Sequence, residues 1–257
     1  AVQYRTRILD KNQFDSSTGF DAFYHFFVDE GLTQSTIMAA VESPGLYEVR
    51  INGAKVTAEP QAWWLDRNFG TYKLGEYVKV GKNTLSVHAS PMDILAEIEP
   101  VYLIGNFGVE AAGKGWKLVP EKELAIGSWK GQAMPFYSHG VSYSKVISRP
   151  ESGRLLLQLN EWAGTLAEVK VNGVSAGIIG WKPYELDISK YLKSGENEVE
   201  VIVTGSLKNL MGPHHLNPER GFVTPWSFFR APIHQPAGTA YDMLDYGLFE
   251  DFEVRAD

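Results

Sequence analysis

The sequence predicts an all-β protein made of two tandem antiparallel β-sandwiches, and three observations carry that expectation. Apolar and polar residues alternate in short runs, the period of a half-buried strand. Twenty-five glycines and 13 prolines separate those runs, and no amphipathic pattern persists beyond three helical turns. The first half of the chain is also echoed by the second about 120 residues later.

In chain order, Leu46–Ile51 alternates and ends on Asn52-Gly53, and Thr84–His88 alternates after it. Leu166–Val171 repeats the first pattern and ends on Asn172-Gly173, and Glu198–Val203 repeats the second. Asn-Gly joins paired strands through a two-residue turn because both positions tolerate positive φ. Tyr72-Lys73-Leu74 … Val80-Gly81-Lys82-Asn83 is matched by Tyr184-Glu185-Leu186 … Ser194-Gly195-Glu196-Asn197. Leu103, Asn106, Phe107 and Val109 are matched by Leu248, Asp251, Phe252 and Val254. Ala111–Gly115 reads as a linker, so the expected domains are 1–112 and 113–257.

The copies are unequal. From Asn83 to Phe107 is 24 residues, whereas from Asn197 to Phe252 is 55, so the second copy carries about 31 more. This excess forms an expected long loop over 205–240, too aromatic for disorder and long enough to point to function.

Composition excludes several classes. The net charge is −7, with no cluster of Lys and Arg to meet phosphates, which argues against nucleic acid as a partner. The absence of cysteine removes disulfide scaffolds, thiolate zinc sites, iron–sulfur clusters and a cysteine nucleophile. No apolar run approaches the roughly 20 residues that span a bilayer, so no membrane is expected as a partner. Ala1 opens the sequence without an apolar leader, and a signal peptide is expected to have been removed or to lie outside it.

Asn172-Gly173, Trp181-Lys182-Pro183-Tyr184-Glu185-Leu186-Asp187-Ile188 and Tyr191-Leu192-Lys193-Ser194-Gly195-Glu196-Asn197 together resemble the sugar-binding jelly-roll domain of glycoside hydrolase family 2. They are equally similar to the galactose-binding-like β-sandwiches of bacterial multimodular rhamnosidase-type glycosidases. Trp129 through Tyr143 is similar to the opening strand region of such domains. In the first half the pattern is looser: the Asp is missing, and the Tyr-to-Asn spacing is 11 instead of 13. The resemblance implies a jelly-roll, galactose-binding-like fold and a secreted, periplasmic or cell-surface bacterial protein. It also implies a non-catalytic part of a larger enzyme whose catalytic carboxylates sit in a separate domain.

No catalytic residue is assigned. Asp187 reads as a turn-stabilising residue, and Asp242, Asp245, Glu250 and Asp251 as a solvated strand face. No nucleophile elbow or phosphate-cradling loop is present. His214, His215 and His234 lack the spacing of a zinc site; no cofactor is expected, and a structural calcium stays open because carbonyl ligands leave no sequence trace.

Sugars offer apolar C–H faces ringed by hydroxyls, so aromatic platforms beside amides, carboxylates and Arg are the side chains to seek. The long loop supplies Trp226, His214, His215 and Arg220, with a plug over the barrel end as the competing role. Trp181 and Tyr184 are further candidates, with packing as the favoured role. Trp63-Trp64 must point to opposite faces if extended, which makes Trp64 a weaker candidate. Trp129, Phe136, Tyr137 and Tyr143 are expected in the second core, and Trp162 fits either role.

The leading expectation is a carbohydrate-binding module pair without chemistry of its own, from a bacterial polysaccharide-degrading enzyme. Its partners would be plant cell-wall glycan, pectic glycan foremost, and the catalytic domain of the parent chain. A scaffold pair packed on that catalytic domain competes, and an autonomous glycan hydrolase or lyase is the third reading.

Overall fold

The computed structural model describes residues 14–149, 153–211 and 234–256. Strands and 3-10 turns are the only regular structure among these residues, and no helix there is long and apolar enough to cross a membrane. The chain divides into two units, Ala1–Gly108 with Trp116–Glu121, and Val109–Gly115 with Lys122–Asp257. The expected linker is therefore interlaced. Residues 109–115 belong to the second unit, and the chain then returns to the first before leaving it.

Unit 1 contains β1 (Phe20–Val28), β2 (Met38–Glu42), β3 (Glu48–Ile51), β4 (Ala54–Val56), β5 (Trp63–Trp64), β6 (Asp66–Lys73), β7 (Gly81–Ala89) and β8 (Tyr102–Ile104). Next in chain order are β9 (Gly108–Ala111) and β10 (Trp116–Val119). One sheet runs β4-β3-β7-β1-β10 and the other β5-β6-β2-β8. Its pairings are antiparallel except β1 with β10, which run parallel, a departure from the wholly antiparallel expectation. The inward residues come from the alternation seen in sequence, with Val49, Ile51, Leu85 and Val87 buried against Ala39, Tyr72 and Leu74.

Unit 2 repeats the plan with β11 (Gly140–Ser148), β12 (Leu155–Gln158), β13 (Trp162–Ala163), β14 (Leu166–Val171), β15 (Val174–Ile179), β16 (Glu185–Asp187), β17 (Glu196–Thr204), β18 (Gly247–Leu248) and β19 (Glu253–Ala256). Its sheets run β15-β14-β17-β11 and β16-β12-β19, with β13 paired to β18. β15, β14, β17 and β11 repeat the order of β4, β3, β7 and β1, and β16, β12 and β19 that of β6, β2 and β8, so the internal repeat is a repeat of topology; β5 and β10 on one side and the β13–β18 pair on the other stand outside it.

The register corrects the sequence matching in two places. Leu74 N donates to Ile37 O, and Ile188 N to Leu155 O, both at 3.0 Å. Met38 pairs with Lys73, and Leu156 with Asp187. Leu74 is thus the counterpart of Ile188, and Tyr72 that of Leu186, so the apparent difference in spacing disappears. In the same way Ala39 faces Leu103 while Leu157 faces Val254. The counterpart of Leu103 is Val254, and Leu248 belongs to an additional pair with Trp162.

The two Asn-Gly turns adopt the expected positive φ, +50° and +89° in unit 1, +50° and +79° in unit 2. Each turn asparagine then meets a second, buried asparagine. Asn172 Nδ2 donates to Asn197 Oδ1 at 2.8 Å, and Lys193 N donates to the same oxygen at 2.9 Å. Asn197 Nδ2 donates to the carbonyls of Lys193 and Gly195, both at 2.9 Å. In unit 1 Asn52, Asn83, Lys79 and Gly81 make the same four bonds. Each buried amide thereby fills both donor and both acceptor positions.

The core of unit 2 holds Leu157, Val169, Val201, Leu248 and Phe252 around Trp129, which is buried as expected. Trp129 Nε1 donates to Tyr143 Oη at 2.8 Å. Tyr137 lays its ring edge-on to Trp129 but keeps one side in solvent.

Candidate functional site

A shallow groove of about 720 Å³ opens on unit 2. One wall is the run that leaves β12: Gln158, Asn160 and Glu161. The other is Lys182, Pro183 and Tyr184 leading into Glu185, and Glu250 closes one side. The backbone fixes these walls. Leu159 N donates to Tyr184 O at 2.9 Å, tying the first wall to the second. Glu161 O accepts from Phe249 N at 2.8 Å and Glu250 N at 3.1 Å, which brings Glu250 to the rim.

Tyr184 packs edge-on to Trp162, with ring centroids 5.4 Å apart. This contact serves packing, as expected, yet the residue still lines the groove. Trp181, one residue before Lys182, is 77% exposed. The packing role favoured for it is therefore absent: the indole stands in water, next in sequence to the groove residue Lys182. Trp162 takes the core-facing role, and its buried Nε1 has no hydrogen-bond partner among the described residues.

Gln158, Glu185 and Glu253 share one row across β16, β12 and β19. Arg255 on β19 reaches Glu185 on β16 at 3.2 Å, so its side chain crosses β12 and covers Leu156, which is buried on this outer face.

Asp187 stabilises the turn after β16, the role expected of it. Its carboxylate accepts from Ser189 N at 3.0 Å, Ser189 Oγ at 2.6 Å and Arg154 Nε at 2.8 Å. The Ser189 hydrogen bonds first, and Arg154 with them, hold its pKa down at about 2. A group ionised that firmly serves as no general acid. Its ordinary value is 3.8, so its stabilising effect is complete above about pH 4 and disappears as pH falls through about 2. The thermal midpoint of the wild type should fall between these pH values. The Asp187→Asn variant should start lower and show a flatter profile there; parallel profiles would exclude the assignment.

The remaining site expectations divide as follows. Trp226, His214, His215 and Arg220 lie outside the described residues. Of the Trp pair in unit 1, Trp63 is 53% exposed, while Trp64, the sequence candidate, packs at 5.2 Å on Tyr102 and 6.4 Å on Phe69. The pairing of β5 with β6 shifts register between Trp63 and Trp64. Among the described residues no group of three or more His, Asp or Glu could hold a metal ion. The groove acids Glu161 and Glu185 and the amides Gln158 and Asn160 escaped sequence reasoning, since single polar residues near strand ends carry no pattern. Their one sequence signal was the neighbouring Trp162.

The base of the long excess segment is fixed on both sides. Asn209 donates to Pro135 O at 2.9 Å and to Leu244 O at 3.0 Å, and accepts from Leu244 N at 2.9 Å. Gly115 N donates to Pro236 O at 2.7 Å, and Gly238 N to Ala112 O at 2.9 Å. Residues read as a linker thus hold the returning end of this segment.

No protein-family model matches the chain. A Formosa agariphila protein provisionally named a beta-glucuronidase is 28% identical over 127 residues, 46% of this chain. A rhamnosidase structure from Novosphingobium sp. PP1Y aligns over 90% of this chain at 18% identity, with a TM-score of 0.34. A glycosyl hydrolase family 2 member from Bacteroides cellulosilyticus aligns over 72% at 11% identity, with a TM-score of 0.25. This chain spans 11% of the first protein's length and 24% and 23% of the two solved chains, so it is similar to a small part of much longer glycosidases.

Proposed function

We propose that this chain is a non-catalytic, carbohydrate-binding part of a larger bacterial glycoside hydrolase, with the unit 2 groove as its sugar site. The observation that carries this reading is Trp181, 77% exposed and one residue before Lys182, in whose groove Gln158, Asn160, Glu161 and Tyr184 also stand. An indole face suits the C–H face of a pyranose, and amide and carboxylate groups suit its hydroxyls. The ligand is plant cell-wall glycan, pectic glycan included, and the location is outside the cytoplasm. The similarity to part of a longer glycosidase supports a catalytic domain elsewhere in the parent chain.

Calorimetry against a panel of wall glycans tests the site. Trp181→Ala should weaken binding by tenfold or more and leave the unfolding midpoint unchanged, since the side chain touches little. Binding that survives Trp181→Ala but is lost in Trp226→Ala would move the site to the long segment. One observation favours a scaffold role instead: Phe23 and Phe27 project from the outer face of β1, 62% and 44% exposed. Absence of binding to the whole panel would select that role.

A further inference from the structure

The charges around the groove select among its ligands, an inference that rests on the sugar-site reading above. We infer that the site takes neutral or esterified glycan and discriminates against free uronates. Glu161, Glu185 and Glu250 line the groove against one cation, Lys182. An adjoining groove of about 560 Å³ shares Glu250 and adds Asp251 and Glu253, with Lys145 and Arg255. The added cations are already engaged. Lys145 sits on Asp251 at 3.0 Å and over the Phe252 ring at 4.1 Å, and Arg255 sits on Glu185 at 3.2 Å.

Among the described residues, Glu161, Glu250 and Glu253 form no ion pair, and Lys182 is the one unpaired cation of the two grooves. A neutral sugar turns these carboxylates to advantage, since they accept from its hydroxyls through charge-assisted bonds. A uronate brings a carboxylate into the same space and has no hydrogen to give from it. Two like charges at about 5 Å in water weaken binding by roughly tenfold together, more where water is excluded.

The test uses one backbone in two charge states, polygalacturonate and its fully methyl-esterified form, with neutral arabinogalactan as the reference for the site. At low ionic strength the ester should bind about tenfold more tightly than the acid, and the gap should narrow in 1 M salt. Glu161→Gln with Glu250→Gln should bring the two affinities together; both side chains are exposed, so the fold is kept. The acid form binding as tightly as the ester, or neither form binding, overturns the inference. If arabinogalactan binding still depends on Trp181, the sugar-site reading survives that result; if no glycan binds, both fail.

Discussion

Asn197→Ala should cost about 3 kcal/mol of unfolding free energy, far more than the loss of one polar side chain from a surface. The buried amide closes four hydrogen bonds at 2.8–2.9 Å, and alanine takes the shared partner from all four groups at once. Water entering the gap offsets part of that. Asn83→Ala should behave alike in unit 1, where Asn83 meets Asn52 and Lys79 in the same way. Asn197→Asp is the sharper control. It keeps the shape and the two accepted bonds but turns the donor face into an acceptor against two carbonyls. At pH 7 it should be no more stable than the alanine variant, and it should recover as the acid is protonated, because burial raises its pKa above the unfolded value. Urea titrations at pH 7 and 4.5 measure both. A loss below 1 kcal/mol for Asn197→Ala would remove the amide pair as the organising contact of the repeat.

These asparagines also show what the sequence reveals. Asn-Gly at 52–53 and 172–173 and Asn at 83 and 197 were visible as an echo, because a turn geometry and a saturated buried amide each admit few residue types. The strands between them were visible through alternation. The register was not. Tyr72 and Tyr184 invite alignment, yet hydrogen bonding equates Leu74 with Ile188, because side-chain identity on a strand says less than the ladder that holds it. Trp63-Trp64 makes the same point, since alternation puts the two rings on opposite faces and only the contacts of Trp64 with Phe69 and Tyr102 say which ring is covered.

The proposed site lies on other residues than the sequence candidates of greatest weight. An aromatic beside amides and acids was anticipated, with greatest weight on residues outside the described part of the chain. Packing is the favoured expectation for Trp181, and the structure leaves it 77% exposed. Its exposure depends on where the turn before β16 leaves the sheet, and that is fixed by the Leu159–Tyr184 hydrogen bond. Repeat and site are thus separate layers: the asparagine pairs lie in what the copies share. The groove uses Glu161, Lys182 and Glu250, residues of the turns and of the route back to the closing strand.

Gly247→Ala should have an effect at least as large as that of Asn197→Ala, about 4 kcal/mol, and should reach the groove as well. Gly247 has φ +139°, and a Cβ there would lie 2.4 Å from Gly127 O and 3.1 Å from the Trp129 indole. Neither neighbour is free to yield. Gly127 N donates to Leu248 O at 2.7 Å and Trp129 N to Tyr246 O at 2.9 Å, so the backbone is tied down on both sides of the Gly127 carbonyl, and Trp129 is part of the core. Overpacking at such a site adds to the cost of the backbone angle. Gly173→Ala provides the comparison: its φ is +79°, but nothing lies within 4 Å of the added carbon, so it should cost only about 1 kcal/mol. Gly247 also precedes Phe249 and Glu250, whose amides anchor on Glu161. A displaced 246–248 segment therefore shifts Glu250, and glycan affinity should fall in Gly247→Ala even where the protein remains folded, while Gly173→Ala binds as the wild type does. Equal stability losses in the two variants would show that the close approach of Gly247 to Gly127 is not what fixes this strand.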